Sequence, residues 1–448
     1  MINRADLTFS RILKASRIRR GLTQAELATR SMISIRSIRN LELGQAKHPR
    51  KQTIDLLADA LQLDNLARTE FLLAARPHEV AALPDLALTH TTSEMPHAAD
   101  PLMGRGHTVE LAVNLLAAQG SRWVALSGLA GVGKTRVAQA VAQEVNRTAG
   151  QPVLWMSADR WTPPIRPETR RRRRTPRTDL PTTLFELLQR GEQATEELTA
   201  LVSEFSALIV IDNFVEPVIS ESALTHLLRN CPNISLLTCS RDPSRYRAGN
   251  QLTLAPLAVP ESPDEAAPGQ LARYPAVHLL LTHLQRIRPD APITDAQIGA
   301  IARISMAVDG IPLALKAAAS WLPLYKSDEL VELALRAPAL LTEPVTEGRD
   351  DAGSGLVAAL SETVAALPTE HARTLRTLAC LAEPWSMSTA AREVQGGIPE
   401  AAKAVNSLLQ RGLIRPTEHD DGEFGRFRVL NLVRHLLGHP MGLNRIAA

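Results

Sequence analysis

The feature that most constrains the fold of this chain is a glycine-rich octapeptide, GLAGVGKT, at Gly128–Thr135. It satisfies the spacing G-x-x-x-x-G-K-[ST] and stands between a short apolar run, WVALS, and a stretch with helical periodicity, RVAQAVAQEV. A strand, a glycine loop and a helix in that order direct backbone N–H groups and the helix N-terminus towards one point, which favours a bound phosphate. The octapeptide therefore predicts a P-loop inside an α/β domain.

The residue types of this loop have separate predicted roles. Glycines let the backbone curl around phosphates, Lys134 supplies a full positive charge, and Thr135 is a predicted magnesium ligand. Asp212 closes a second apolar run, ALIVID, where a carboxylate is needed to hold magnesium. We predict ATP or ADP with Mg²⁺ as cofactors, and Lys134 and Asp212 as catalytic residues. The loop residues predicted to bind nucleotide are Gly128, Gly131, Val132, Gly133, Lys134, Thr135 and Arg136.

The residues after Asp212 predict slow hydrolysis. Asn213 follows it, so an adjacent second acid that could activate water is missing, and Glu216 is the nearest candidate for that task. We therefore expect a switch that hydrolyses ATP slowly.

The length of 448 residues predicts about three or four domains. A third apolar run, ISLLTCS at 234–240, fits alternating strands and helices and predicts a parallel sheet. Near the C-terminus, LIRPTEHDDGEFGRFRVL predicts a hairpin that turns at 420–425. The predicted divisions are an all-α head at 1–76, a linker at 77–100, a P-loop α/β domain at 101–260, a helical lid at 261–345 and a further domain at 356–440.

A block of five arginines, Arg170–Arg174, interrupts the α/β domain within residues 166–181. Self-repulsion and the neighbouring prolines predict a disordered loop. A solvated insertion is the favoured interpretation, and a second nucleic-acid contact stays open.

The charge distribution and the cysteines of the chain restrict which partners and which cellular compartment can be expected. Residues 1–76 hold 14 Lys and Arg against 7 Asp and Glu, so a basic head of +7 leaves −4 for the rest of a chain whose net charge is +3. That asymmetry favours a polyanionic partner for the head. Neither a run of eighteen apolar residues nor a hydrophobic signal core is present, which predicts a cytoplasmic location. The three cysteines lack metal-binding spacing and are expected to be buried free thiols.

The head contains a helix-turn-helix pattern in GLTQAELATRSMISIRSIRNLELG at 21–44. Thr23 and Glu26 form a T-x-x-E capping box that predicts the start of the first helix, and Ser34 can cap the second. The residues whose spacing buries one face between these helices are Leu22, Leu27, Ala28, Ile33, Ile38 and Leu41.

This pattern closely resembles the phage-repressor type of helix-turn-helix over about residues 7–64. The resemblance implies that the second helix enters the major groove of double-stranded DNA. Arg36 would then bind guanine, Asn40 adenine, and Ile35 a thymine methyl. The residues implied to hold backbone phosphates are Thr23, Gln24 and Arg39. Met32 stands where the family usually has glycine; a left-handed methionine costs about 1 kcal/mol or more, which leaves the shape of the turn open.

The rest of the chain, about 101–440, resembles the STAND ATPases of the NB-ARC type. The motifs that carry the resemblance are GRG at 104–106, GLAGVGKT, LIVIDN, TCSR at 238–241 and DGIPLAL at 309–315, in that order. In that family, ADP holds a closed state and ATP favours an open state that oligomerises. The resemblance implies that Arg241 senses the γ-phosphate and that Pro312 packs on adenine. We also assign Arg105, in the GRG motif, to the nucleotide site.

Two later stretches resemble the winged-helix segment of the same family. They are GLVAALSETVAALPTEHARTLRTLACLAEP and RFRVLNLVRHLL. The family often carries a His-Asp pair there that reads ADP, whereas this chain has Leu430 and Asn431. The resemblance therefore does not imply that this element reads ADP in this chain.

Together these features predict a nucleotide-switched, DNA-binding transcription regulator that self-associates with ATP, in answer to nucleotide or to a protein that supplies the signal. One alternative is a defence or stress-signalling switch whose head autoregulates or docks a protein. Another is a remodelling ATPase, which the missing second acid disfavours.

Overall fold

The structure is a computed structural model, and its residues form two compact units, Met1–His90 and Thr91–Ala448. It describes residues 9, 13–14, 16–18, 20, 22–43, 51–61, 95, 101–117, 122–157, 180–202, 206–214, 219–241, 250–261, 263–264, 266–290, 292–345, 355–381, 384–394, 396–417 and 425–438. Apart from Met95, the predicted linker at 77–100 lies outside these residues, as does Glu216.

The first unit is helical, as predicted. Where the structure gives the bounds of its helices, they are α1 (Gln24–Ser31), α2 (Ile35–Glu42) and α3 (Lys51–Ala60), and residues 13–14 and 16–18 are also helical. The Thr23 hydroxyl accepts the Glu26 N–H at the start of α1, and the Glu26 carboxylate accepts the Thr23 N–H in return. Because both bonds are present, the predicted capping box is confirmed.

One apolar core holds these helices together. Five of the six predicted core residues are buried, and the sixth, Ile33, is partly buried against them. Phe9, Leu13 and one face of α3 complete this core. The spacing of apolar residues therefore identified the packed face of α1 and α2.

The turn between α1 and α2 takes a left-handed conformation at Met32, where φ is 57° and ψ is 27°. The Met32 N–H donates to the Ala28 carbonyl, and the side chain is 88% exposed. Methionine thus tolerates the position because its side chain meets solvent, although the backbone strain of about 1 kcal/mol remains.

The second unit contains a parallel sheet, as the apolar runs predicted. In its described residues the strands are β1 (Trp123–Ser127), β2 (Val153–Ser157), β3 (Ala207–Asp212), β4 (Ile234–Ser240) and β5 (Asn250–Thr253), in the order β2-β3-β4-β1-β5. The predicted strands β1, β3 and β4 are confirmed, and β2 and β5 extend the sheet at its two edges. Every residue of the three central strands is buried, which explains why their sequences are mainly apolar, although β4 also buries the polar residues Ser235 and Thr238.

Helices connect and cover these strands. In the part of this region that the structure describes, they are α4 (Gly106–Ala117), α5 (Lys134–Ala149), α6 (Leu180–Arg190), α7 (Thr195–Val202) and α8 (Glu221–Asn230). The arginine block lies outside the described residues, and positions 180–181, predicted as the end of that loop, instead begin α6.

A helical segment follows the sheet. Its helices are α9 (Pro268–Leu271), α10 (Pro275–Ile287), α11 (Asp295–Ala307), α12 (Pro312–Ala319) and α13 (Ser327–Arg336). The last described part comprises α14 (Gly355–Ala365), α15 (Thr369–Ala379), β6 (Trp385–Ser386), α16 (Met387–Glu393), α17 (Ile398–Gln410), β7 (Ile414–Thr417), β8 (Arg426–Val429) and α18 (Asn431–Leu436). Strands β7 and β8 pair antiparallel, as expected for the hairpin. Apart from Gly425, the predicted turn at 420–425 lies outside the described residues.

The second unit has a continuous apolar core that runs from α4 to α18. Cys231 and Cys239 are buried, but Cys380 is exposed, so the expectation of a buried thiol was wrong at that position. Among the described helices, none combines the length and apolarity that a membrane crossing requires.

Candidate nucleotide site and DNA-reading helix

The P-loop follows β1 and runs into the first turn of α5, and close contacts with neighbouring residues require glycine at two of its positions. Gly128 has a φ of +143°, and a Cβ there would lie 2.7 Å from the Leu254 carbonyl oxygen. Gly131 has a φ of +73°, and a Cβ there would lie 2.7 Å from the Leu313 Cβ. Any larger residue at either position would force the loop away from its neighbours.

Lys134, the first residue of α5, points back into this loop. Its Nζ donates to the carbonyl oxygens of Gly128 at 2.9 Å and Leu129 at 2.8 Å. Burial lowers the pKa of the Lys134 ammonium from its ordinary value to about 8. The protein thus holds a poorly solvated cation inside the loop, where a phosphate anion would stabilise its charge.

Thr135 and Asp212 meet at the carboxyl end of the sheet. The Thr135 hydroxyl donates to Asp212 Oδ1 at 3.0 Å, and the Asn213 N–H donates to the same oxygen at 3.0 Å. Among the described residues, there is no group of three or more His, Cys, Asp or Glu side chains that could hold a metal ion. One hydroxyl and one carboxylate fit Mg²⁺, because that ion commonly takes its remaining ligands from water and substrate phosphates.

Arg241 is brought to the same end of the sheet by strand register. Ser127 of β1 pairs with Ser240 of β4, so the residue after each strand, Gly128 or Arg241, leaves the sheet at the same level. The Arg241 guanidinium contributes to the lowered pKa of Lys134, because the two positive charges repel each other. Its Nη1 pairs with Glu362 Oε2 at 3.3 Å.

The Arg105 guanidinium is hydrogen-bonded to two backbone carbonyl groups of the site. Its buried guanidinium donates from Nη2 to the Val132 carbonyl at 3.3 Å and to the Ala255 carbonyl at 2.5 Å. Burial lowers the pKa of this guanidinium. Arg105 therefore connects the P-loop to the segment after β5, while Val132 itself is buried in the core.

A cavity of about 320 Å³ opens beside the P-loop. This volume falls in the range of small-molecule sites, and its described lining contains four Lys or Arg residues and no Asp or Glu. Pro312, the first residue of α12, lines the cavity, whereas Asp212 and Arg241 do not. The lining residues are Pro101, Leu102, Met103, Arg105, Gly131, Val132, Gly133, Lys134, Thr135, Arg136, Leu257, Leu279, His283, Pro312, Leu313 and Lys316.

Two polar residues of this lining were missed from the sequence, His283 and Lys316. Lys316 lies four residues after Pro312, so both occupy one face of α12, and that spacing was the available signal. No comparable signal marked His283, because only the packing of α10 brings it to the cavity.

The pKa of Lys134 predicts a pH dependence. A bound polyphosphate favours the charged ammonium, so binding raises this pKa above about 8. The affinity for ADP or ATP should therefore be constant from pH 7 to 8 and fall above pH 8, by at most about tenfold per pH unit. Titrations at fixed ionic strength up to pH 9.5 measure this effect. A constant affinity over that range would contradict a role of the ammonium in binding.

In the first unit, the predicted base-reading residues share the outer face of α2. Arg36 is exposed, Ile35 is 50% exposed and Asn40 is half-buried. Arg39 lies on the same face and is exposed, whereas Ile38 and Leu41 are buried on the opposite face. The helix therefore presents the predicted DNA-contacting side chains on one accessible surface.

The other two predicted phosphate contacts already have partners within the unit. Thr23 caps α1, and the Gln24 amide donates to Glu42 Oε2 at 2.7 Å. Arg17 holds the same carboxylate with two bonds, from Nε at 2.6 Å and from Nη2 at 3.0 Å. This network fixes the end of α2 against the start of α1, and the Arg17 guanidinium helps to lower the pKa of Glu42. Gln24 thus positions α2 in this structure.

The fold and the site define two classes of module, a helix-turn-helix unit and an α/β unit with a P-loop. Residues 13–64 match the helix-turn-helix family, so the first unit carries a helix-turn-helix domain. No curated protein matches the sequence.

Solved structures resemble the chain only distantly. One is a STAND protein with a tetratricopeptide-repeat sensor from Pyrococcus horikoshii, at 15% identity and a TM-score of 0.30 over 76% of this chain and 43% of that protein. Another is DnaA from Aquifex aeolicus bound to AMPPCP, at 15% identity and 0.31 over 69% and 90% of the two chains. A third is Drosophila ORC bound to DNA, at 14% identity and 0.32 over 79% and 97%. The present chain thus spans less than half of the STAND protein.

Proposed function

We propose that this chain is a nucleotide-switched, sequence-specific DNA-binding transcription regulator. The observation that carries the proposal is the presence, in one chain, of a helix-turn-helix domain and a P-loop whose lysine, threonine and neighbouring aspartate converge. The first module supplies a way to read DNA, and the second supplies a way to answer to a nucleoside triphosphate.

The DNA-reading step is assigned to α2. Arg36 would donate two hydrogen bonds to guanine, Asn40 would pair with adenine, and Ile35 would contact a thymine methyl. Arg39, exposed beside them, would hold a backbone phosphate. Each bidentate contact of this kind contributes about 1–3 kcal/mol of discrimination between bases.

The nucleotide-binding step is assigned to the P-loop. Lys134 would exchange the carbonyls of Gly128 and Leu129 for phosphate oxygens. Thr135 and Asp212 would hold Mg²⁺, which neutralises phosphate charge when bound. Pro312 would pack on the base, within the cavity that it lines. Asn213, which follows Asp212, cannot act as a base, so we expect slow hydrolysis.

The switching step would couple these modules through the segments after the sheet. We assign 261–345 as a helical lid and 356–440 as a winged-helix-like domain, in agreement with the antiparallel pairing of β6, β7 and β8. ATP changes the arrangement only if it binds one state better than the other. Self-association in the ATP state would bring reading helices together and raise avidity for repeated half-sites.

The proposal is tested by selection of bound genomic fragments. The full chain, loaded with ADP or a non-hydrolysable ATP analogue, is incubated with fragments of the source genome at one stated salt concentration, because phosphate contacts make affinity salt-dependent. We expect one motif to be enriched and its occupancy to differ between nucleotides. Lys134→Met should remove the nucleotide effect, and Arg36→Ala should relax the choice of base at one position. If nucleotide binds but no motif is enriched, the regulator assignment fails and the head more simply docks a protein.

A further inference from the structure

Helix α14 runs beside the phosphate-binding loop. Near its start, Leu356 Cδ1 lies 3.4 Å from the point where a Cβ on Gly131 would stand. Two turns further along, Glu362 Oε2 lies 3.3 Å from Arg241 Nη1. One helix of the C-terminal part thus meets the P-loop and also the arginine that follows β4.

Arg241 is placed to meet an anion bound at the P-loop. It leaves the sheet beside Gly128, and its charge is close enough to Lys134 to lower the lysine pKa. Two cations that repel each other over a short distance are both stabilised by an anion between or beside them. In the described residues, the partner of the Arg241 guanidinium is instead the carboxylate of Glu362.

We propose that Glu362 sets the preference of this site between nucleoside diphosphate and triphosphate. Its carboxylate competes with the terminal phosphate of the triphosphate for the Arg241 guanidinium. A diphosphate bound by Lys134 leaves the ion pair intact, whereas the additional phosphate of a triphosphate must displace or repel Glu362. The inference rests on the proposed nucleotide site, and it names a residue that acts on selectivity through Arg241.

The solvent exposure of the Arg241–Glu362 ion pair is consistent with a contact that a phosphate can replace. The side chain of Arg241 is 46% exposed and that of Glu362 is 73% exposed. Exposed ion pairs are weak, so a phosphate with its larger charge can displace the carboxylate without a large barrier. A deeply buried pair at this place would instead resist the exchange.

The test compares dissociation constants for ADP and for a non-hydrolysable ATP analogue, both with Mg²⁺, in the full chain. Glu362→Gln should tighten binding of the analogue by about three- to fivefold and leave ADP unchanged, as expected for an exposed pair. Glu362→Asp, which keeps the charge, should restore part of the wild-type ratio. In an Arg241→Gln background, Glu362→Gln should have no effect on the ratio, because the group through which it acts is gone.

A matched control is available on the next helix. Glu370 forms a similarly exposed pair with Arg373 on α15, so Glu370→Gln removes the same chemistry away from the loop. It should change neither dissociation constant. If Glu362→Gln shifts both nucleotides equally or neither, the inference is overturned while the nucleotide site stands. If the wild-type chain binds neither nucleotide, the proposed function fails and the inference fails with it.

Discussion

Replacing Lys134 with methionine is expected to weaken binding of both ADP and ATP by at least about a hundredfold. Methionine keeps the length of the side chain but removes its charge. Charge-assisted hydrogen bonds contribute about 1.5–3 kcal/mol each, and a hundredfold change corresponds to about 2.7 kcal/mol. Titration with a fluorescent nucleotide analogue measures the change, and circular dichroism verifies that the variant is folded.

The matched control for this prediction is Lys403→Met, since Lys403 is an exposed lysine on α17. It should leave both affinities within a factor of about two. The loss at Lys134 should also abolish the fall in affinity above pH 8, because that fall is assigned to the Lys134 ammonium. Wild-type affinity in Lys134→Met would exclude the P-loop as the nucleotide site.

Replacing Asp309 with alanine is expected to lower the free energy of unfolding of the second unit by about 3 kcal/mol. The Asp309 side chain is fully buried and accepts the backbone N–H groups of Asn431 at 2.8 Å and Leu432 at 2.9 Å. Each buried donor left without a partner costs about 1–3 kcal/mol. The carboxylate also lies at the positive N-terminal end of α18.

Hydrogen exchange measures the loss of the Asp309 hydrogen bonds directly, at the two amides that donate them. In Asp309→Ala, the amides of Asn431 and Leu432 should exchange about a hundredfold faster, because their acceptor is gone. Asp309→Asn should have a smaller effect, since it keeps one acceptor oxygen and tolerates the positive φ of 59° at this position. Asp295→Ala, an exposed acid at the start of α11, is the control and should change stability by less than about 0.5 kcal/mol. Unchanged exchange at both amides would show that another group holds α18.

Much of the sheet could be predicted from the sequence because its central strands are buried on both faces. Most residues in such a strand are apolar, so β1, β3 and β4 stand out as mainly apolar runs with clear ends, although β4 includes the buried Ser235 and Thr238. The edge strand β5, NQLT, is half-exposed and carries no such pattern. Strand β2, VLWMS, also lies at an edge and has an apolar pattern of its own, which the three predicted runs do not include.

The site was predictable to the extent that it depends on strand ends. A loop after β1 and an aspartate at the end of β3 must meet at one edge of a parallel sheet, and Thr135 and Asp212 do meet at 3.0 Å. Contacts made by packing of distant helices leave no such pattern. Glu362 is 121 residues from Arg241, and Asp309 is 122 residues from Asn431, so neither pairing could be inferred from spacing.

The turn from Asp309 to Ile311 joins three parts of the second unit, and this limits how they can separate. Asp309 holds α18, the Gly310 carbonyl accepts the Leu257 N–H at 2.9 Å, and Leu313, two residues further, donates to the Gly131 carbonyl at 3.2 Å. A rearrangement that preserves the two bonds of Asp309 must therefore move the start of α18 together with this turn. Because the Leu313 N–H donates to the Gly131 carbonyl, the boundary between that turn and the sheet unit lies at the P-loop itself.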